Sequence, residues 1–377
     1  LSREVPLRLT GNIWQISHGF IRNDAFHISA PSKTSDGLYK ALKETCSGVD
    51  KDKLAFVNAH GTATLFNDQM ESIAIQRAGL SDIPINALKG YFGHTLGAAG
   101  VLETILSMKA VDDHTIIGTR GYEEAGVSGK IDISADNRST DKLSFIKMLS
   151  GFGGCNATIF VSKDNSILSA KECSVPFALK KTHQVKISAN EVVVDGQQLF
   201  LRNKNMSSSL LTGLYKQEID DYPKFYKMDG LSRLGFVASE ILLNAEKGDT
   251  DVERREEEGE RLLEERAIIF FNHSSSIASD RNYKESINDK DNYFPSPSIF
   301  VYTLPNIVTG EIAIRNHFHG ETSFFILPDK DERLMEEILQ ASCRDAQSKS
   351  FLTGWIDYED ERHFEADLKI KKMRNYK

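Results

Sequence analysis

Along the chain, short all-apolar runs alternate with amphipathic segments, and glycine-bearing turns separate them. Leu54-Ala-Phe-Val-Asn58 lacks polar alternation, the pattern of a strand buried on both faces. Residues 68–76 predict a helix, with Asp68 as N-cap and Glu71 at capping-box spacing. A second helix is predicted over residues 97–111, where Val101, Leu102, Ile105, Leu106 and Met108 offer a broad apolar face. Residues 157–161 read as a strand. Strands alternating with helices predict an α/β layered fold. The polar, aperiodic stretch 164–183 reads as a linker dividing the chain into domains at 1–163 and 184–377. Beyond it, Val185-Lys-Ile187 and Val192-Val-Val194 read as strands near an Asp195-Gly196 turn. Helices are expected at 231–244 and 331–347, a buried strand at 267–271, and a rigid turn at Pro295-Ser-Pro297. The charge run 251–266 reads as a solvated helix face with i,i+4 ion pairs.

Composition narrows the class. With 377 residues and 40% hydrophobic side chains, the chain has material for two cores, which excludes a mainly disordered protein. No apolar run reaches the roughly 18 residues of a transmembrane helix. A net charge of −8 argues against nucleic-acid binding, which needs a basic face. Cys46, Cys155, Cys173 and Cys343 lack metal-type spacing, so neither a disulfide framework nor a metal site is read from them, and a cytoplasmic location is expected. The chain opens Leu1-Ser-Arg3 without methionine or a secretory segment, the expected look of a piece of a longer reading frame.

The chemistry concentrates in two stretches, Asn58-Ala-His-Gly-Thr-Ala-Thr64 and Lys89-Gly-Tyr-Phe-Gly-His-Thr-Leu-Gly-Ala-Ala-Gly100. Each sets a histidine beside glycine at a strand-to-helix corner, where side chains reach a cleft. His60 and His94 so placed can both donate to one carbonyl oxygen and stabilise it as an enolate forms, in the manner of an oxyanion hole. Lys89 and Glu103 are expected to form an ion pair holding the second histidine.

These stretches, with Gly19-Phe-Ile-Arg-Asn-Asp24 and Gly151-Phe-Gly-Gly-Cys-Asn-Ala157, resemble the C-terminal half of the β-ketoacyl synthases, the condensing enzymes of fatty-acid and polyketide assembly, over residues 11–163. The resemblance implies a thiolase-like α-β-α-β-α architecture. It implies that His60 and His94 activate a malonyl thioester for decarboxylation, with Lys89 and Glu103 as supporting ion pair and Phe152 as an aromatic gate. Thr62, Thr64 and Gly153 would line the channel of a phosphopantetheine arm. That arm belongs to an acyl carrier protein, the implied partner, so no cofactor of the chain's own is expected. Cys155 reads as a packing residue where the family usually has threonine.

Residues 184–360 resemble the family's N-terminal half in degenerate form, through Tyr222-Pro-Lys-Phe-Tyr-Lys-Met-Asp-Gly-Leu-Ser232, Phe271-Asn-His-Ser-Ser-Ser276, Leu304-Pro-Asn306 and Gly310-Glu311. The family's nucleophilic cysteine falls on Asp329 by spacing, and Cys343 reads as an ordinary helix cysteine. His273, His317 and His319 fit no metal template. The fold is then two half-domains in swapped order, or a truncated synthase plus a second half. Three functions stay open: part of a β-ketoacyl-ACP synthase, a malonyl-ACP decarboxylase, or a non-catalytic partner like the chain-length factors. A homodimer, or a heterodimer with a cysteine-bearing ketosynthase, is expected. Lys181–Lys186, or the Lys369–Lys377 stretch read as a solvated tail, would supply a basic patch for an acidic carrier.

Overall fold

The apolar run Leu54–Asn58 is a strand buried along its whole length, and the first part of the chain is layered around it. The computed structural model describes residues 13–163, 177–201, 209–248, 265–291, 294–343 and 348–373. They divide into two units: 13–21, 31–150 and 156–163 form one, while 22–30, 151–155 and the described residues from 177 onward form the other.

The first unit is a six-stranded sheet in the order β1 (Gln15–Asn23), β8 (Cys155–Ser162), β7 (Ser144–Gly151), β2 (Leu54–Asn58), β3 (Pro84–Asn86), β5 (Asp132–Ile133). A separate ladder joins β4 (Thr115–Ile116) to β6 (Arg138–Ser139). Strand β2 runs parallel to both β3 and β7. Helices α1 (Asp36–Thr45) and α2 (Leu65–Arg77) cover one face, packing Leu38, Leu42, Ala74 and Ile75 on Leu54, Val57, Ile146 and Met148. On the other face, beyond the short α3 (Lys89–Phe92), α4 (Ala99–Asp112) brings Met108 and Val111 to Phe56, Phe145 and Val161.

Two helix readings need correction. The α2 helix starts at Leu65, so Asp68 lies one turn inside it and Thr64, in extended backbone, is the N-cap residue. Asp68 Oδ1 is instead buried without a hydrogen-bond partner. In α4 part of the expected apolar face points outward: Val101 and Ile105 are 66% and 56% exposed, while Met108 packs on the core. The buried positions are Ala99, Glu103, Thr104, Ser107, Ala110 and Val111, because the inward side of this helix serves a buried charge.

The second unit is a seven-stranded sheet in the order β11 (Gln197–Leu201), β10 (Glu191–Val194), β9 (Leu179–Ser188), β15 (Phe364–Met373), β14 (Ser350–Tyr358), β12 (Ala267–Asn272), β13 (Thr322–Ile326). Strand β12 is parallel to both neighbours and buried throughout, so it needs apolar residues on both faces. Ile268 and Phe270 meet the core shared with α6 (Gly230–Gly248) and α9 (Ile307–Asn316). Ala267, Ile269 and Phe271 meet α10 (Glu332–Ser342) through Met335 and Leu339. Helices α5 (Leu210–Glu218), α7 (Ile277–Ile287) and α8 (Pro297–Tyr302) complete the unit. The α/β class therefore holds in each unit.

Here too several expectations shift. The linker reading overlaps β9, whose pairing with β15 begins at Leu179, and residues 164–176 lie outside the described residues. Most of the charge run lies outside them as well, but Arg266 at its end is only 1% exposed and binds both Glu246 carboxylate oxygens. Pro297 opens α8 behind the N-cap Ser296 instead of sitting in a turn. Lys369, Lys371 and Lys372 belong to β15, where they pair with Glu332, Glu336 and Glu246, so this stretch is neither a free basic patch nor, as far as Met373, a tail.

Gly354 of β14 has φ +149°, and a Cβ there would stand 2.0 Å from the Asp367 carbonyl of β15. Gly354→Ala is expected to cost about 2–3 kcal/mol or more through backbone strain and overpacking. A urea titration giving an unchanged midpoint would refute this account of the strand pair.

Candidate functional site

Because β2 and β3 are parallel neighbours, the loops leaving their C-terminal ends emerge on the same edge of the sheet. The ends are tied: Asn58 Nδ2 donates to Asn86 Oδ1 at 2.7 Å, and the Ala59 N–H donates to the Asn86 carbonyl at 2.9 Å. His60 follows the first strand and His94 follows α3 after the second. Their rings lie 5.2 Å apart between centroids at an interplanar angle of 77°. Gly61 lets the loops approach, since at its φ of +53° a Cβ would lie 2.3 Å from the Ala87 Cβ.

Charges bracket the His60 turn on both sides of its backbone. The Glu71 carboxylate accepts from the N–H of His60 at 2.7 Å and of Gly61 at 2.8 Å. The Lys89 ammonium donates to the His60 carbonyl and, at 2.7 Å, to Glu103 Oε1. Lys147, from the middle of β7, donates to the Ala59 carbonyl at 3.1 Å and to Glu103 Oε2 at 2.5 Å. The Lys89–Glu103 pair thus forms as expected, but it bonds to the first histidine's backbone, not to the second histidine.

Both imidazoles are held neutral at pH 7. Burial, then the charges of Lys89, Lys147 and His94, push the His60 pKa down to about 3. His94 is lowered by its partial burial, then by Lys89, with Glu103 opposing and Lys147 adding to the shift. The Leu96 N–H donates to His94 Nδ1 at 3.0 Å, which assigns the neutral ring its proton at Nε2 and leaves that N–H as a donor. His60 Nδ1 is buried without a hydrogen-bond partner, so the protein does not fix that ring's tautomer. Two neutral rings meeting edge to face at the end of a sheet have the makings of a donor pair for one oxyanion.

Beside them, the hydroxyls of Thr62 and Thr64 pair at 2.9 Å, and Asn67 Nδ2 donates to Thr62 Oγ1. Phe152 and Gly153 belong to the second unit. There the Phe152 carbonyl accepts from Asn306 Nδ2 and the Gly153 carbonyl from Asn23 Nδ2, each at 2.7 Å. The Cys155 thiol is pushed up to about 11 by burial and donates to the Thr322 carbonyl, while Cys343 is fully buried at the end of α10. Asp329 is exposed just past β13. His273 and His319 bond backbone carbonyls, and no group of three metal-ligating side chains occurs among the described residues. No described helix is long and apolar enough to cross a membrane.

Sequence reasoning missed Lys147 and mistook Glu71. The signal for Lys147 was present: a lone charge between Ile146 and Met148 in a buried strand calls for a partner.

His60 also makes stability depend on pH. Unfolded, it protonates near 6.5; folded, it resists until about 3. Its contribution is complete above pH 6.5 and is lost as pH falls through that window, because only the unfolded chain takes up the proton. The wild-type protein is expected to lose stability from pH 7 to pH 4 more steeply than His60→Asn. Equal slopes in denaturant titrations at several pH values would contradict the buried neutral ring.

The first unit is also similar in sequence to known proteins. Residues 15–123 match the family model "Beta-ketoacyl synthase, C-terminal domain". The 3-oxoacyl-[acyl-carrier-protein] synthase 2 of Rhizobium meliloti is 33% identical over 149 residues, 38% of this chain and 35% of the relative. The enzyme of the same name from Coxiella burnetii is 30% identical over 146 residues, 37% and 35% of the two chains. The chain therefore spans about a third of the length of these relatives. A solved structure described as the PfaC keto synthase–chain length factor shares the fold with a TM-score of 0.63 at 13% identity, over 95% of this chain and 48% of that one. Residues 15–123 are thus similar to the C-terminal domain of the β-ketoacyl synthases.

Proposed function

We propose that the chain supplies the malonyl-activating half of a β-ketoacyl-ACP synthase, which condenses an acyl thioester with malonyl-ACP in fatty-acid or polyketide synthesis. The observation that carries this reading is the convergence of two neutral imidazoles, 5.2 Å apart, at adjacent strand ends. In the step proposed, the malonyl thioester oxygen accepts hydrogen bonds from His94 Nε2–H and from the His60 ring. The C–C bond to the carboxylate breaks, CO2 leaves, and the electron pair is held as the enolate under those two donors. Neutral rings suit the step. An imidazolium would ion-pair with the malonyl carboxylate and stabilise the ground state that must lose CO2.

The enolate carbon then attacks the acyl carbonyl on a cysteine, the C–S bond breaks and the cysteine leaves as thiolate; this reading assigns that cysteine to another body, since Asp329 stands at the corresponding position of the second unit. Leu65, Phe66, Leu96, Val101 and Ile105, on the helices and turn that follow the two histidines, are all more than half exposed, which supports a site completed by further protein. Thr62 and Thr64 would meet the phosphopantetheine arm, and Phe152 and Gly153 would act at the acyl end. The arm arrives on an acyl carrier protein, so the proposal calls for no cofactor bound to this chain, and it sets the work in the cytoplasm. The exposed acid at Asp329 favours a second reading of the chain by itself, a malonyl-ACP decarboxylase without condensing activity.

The test is CO2 release from malonyl-ACP, by the chain alone and with a cysteine-bearing ketosynthase added. His60→Ala or His94→Ala is expected to slow release by about 10²–10³, the usual cost of one oxyanion donor, while acyl loading on the partner cysteine persists. Undiminished release in both variants, or none from the wild-type protein in either mixture, would remove the assignment.

A further inference from the structure

Glu103 binds two cations where one would neutralise it. Its Oε1 takes Lys89 at 2.7 Å and its Oε2 takes Lys147 at 2.5 Å, with side-chain exposures of 0% for the acid and 6% and 2% for the lysines. Stripping a second ammonium of water is costly, and Lys147 lies in a strand whose neighbours Phe145, Ile146 and Met148 are wholly buried. Its geometry differs from that of Lys89. Lys89 reaches the His60 carbonyl, whereas Lys147 reaches the carbonyl of Ala59, one residue earlier. The two ammoniums thus cap consecutive carbonyls while Glu71 caps the consecutive N–H groups that follow.

We infer that Lys147 is a positioning residue for the histidine pair: it clamps the backbone at Ala59 and supplies a fixed positive charge that keeps both imidazoles unprotonated. This rests on reading His60 and His94 as the malonyl-activating pair. The charged groups around the rings come from every packed element: Lys89 of α3, Glu103 of α4, Lys147 of β7, Glu71 and Asp68 of α2, and each ring facing the other. An ammonium near the rings disfavours an imidazolium, and Lys147 acts in that direction on both histidines, as Lys89 does.

The experiment follows the ring resonances of His60 and His94 by NMR in histidine-labelled protein from pH 2.5 to pH 9, for the wild type, Lys147→Met and Lys147→Arg. In Lys147→Met at least one ring is expected to titrate about half a pH unit or more higher, and Lys147→Arg to stay near wild type. Unmoved midpoints in a folded Lys147→Met would overturn the inference. If that variant does not fold, unmoved midpoints in Lys147→Gln would do so. Malonyl decarboxylation by the same proteins separates the two claims. Shifted titrations with no activity in any protein remove the functional reading and leave the electrostatic role. Unmoved titrations with normal wild-type activity do the reverse.

Discussion

One carboxylate with no exposed surface, Glu103, anchors two ammonium groups that reach it from different elements, and the histidine pair depends on that three-way contact. Removing Glu103 would leave two buried ammoniums without their shared carboxylate, a far larger penalty than losing an exposed ion pair. Helix α3, helix α4, strand β7 and the turn after β2 must therefore close together. The carbonyls of Ala59 and His60 are held as a by-product of satisfying Lys147 and Lys89. A turn so held has little freedom to swing its imidazole, which a donor aimed at a developing charge requires.

The site's location follows from sheet topology. His60 and His94 are far apart in sequence, yet each lies beyond the C-terminal end of one of two adjacent parallel strands, and such ends share an edge. The asparagines that close the strands, Asn58 and Asn86, bond to each other and fix the register of the two loops. The Gly61 approach to Ala87 then brings the loops within ring contact. An antiparallel pair would have sent the two loops to opposite edges.

How far this was legible depended on whether the deciding interaction was local. The β2 run announced itself because a strand covered on both faces must be apolar at every position, and the two glycine-flanked histidines stood out by motif. The α4 face was misread because the periodicity rule assumes that what faces inward is greasy. There the inward side carries Glu103, Thr104 and Ser107, while Val101 and Ile105 face out. Glu71 sits three residues after Asp68, which satisfies the capping pattern, yet its carboxylate reaches back to His60 and Gly61. Lys147 meets Glu103 across 44 residues, a distance that no periodicity encodes.

The second unit shows why a shared fold is weaker grounds for chemistry than a shared site. Its central strand β12 is parallel to β13 and β14, and the chain leaves β13 through Leu327 and Pro328 to reach Asp329, which the proposed reading sets at the nucleophile's position. A thiolate that takes an acyl group forms a thioester, close in energy to the one on the carrier, so transfer is reversible and the acyl group stays ready for carbon attack. A carboxylate at the same point would have to form an anhydride, uphill from the thioester and open to water at an exposed side chain. The nearest thiol in sequence, Cys343, is wholly buried against Met335 and Leu339, and burial pushes it up to about 12, far from the thiolate that nucleophilic attack needs. Under the proposed function, carbon–carbon bond formation would draw its thiolate from another body, whereas the loss of CO2 would ask only for the two rings of the first unit.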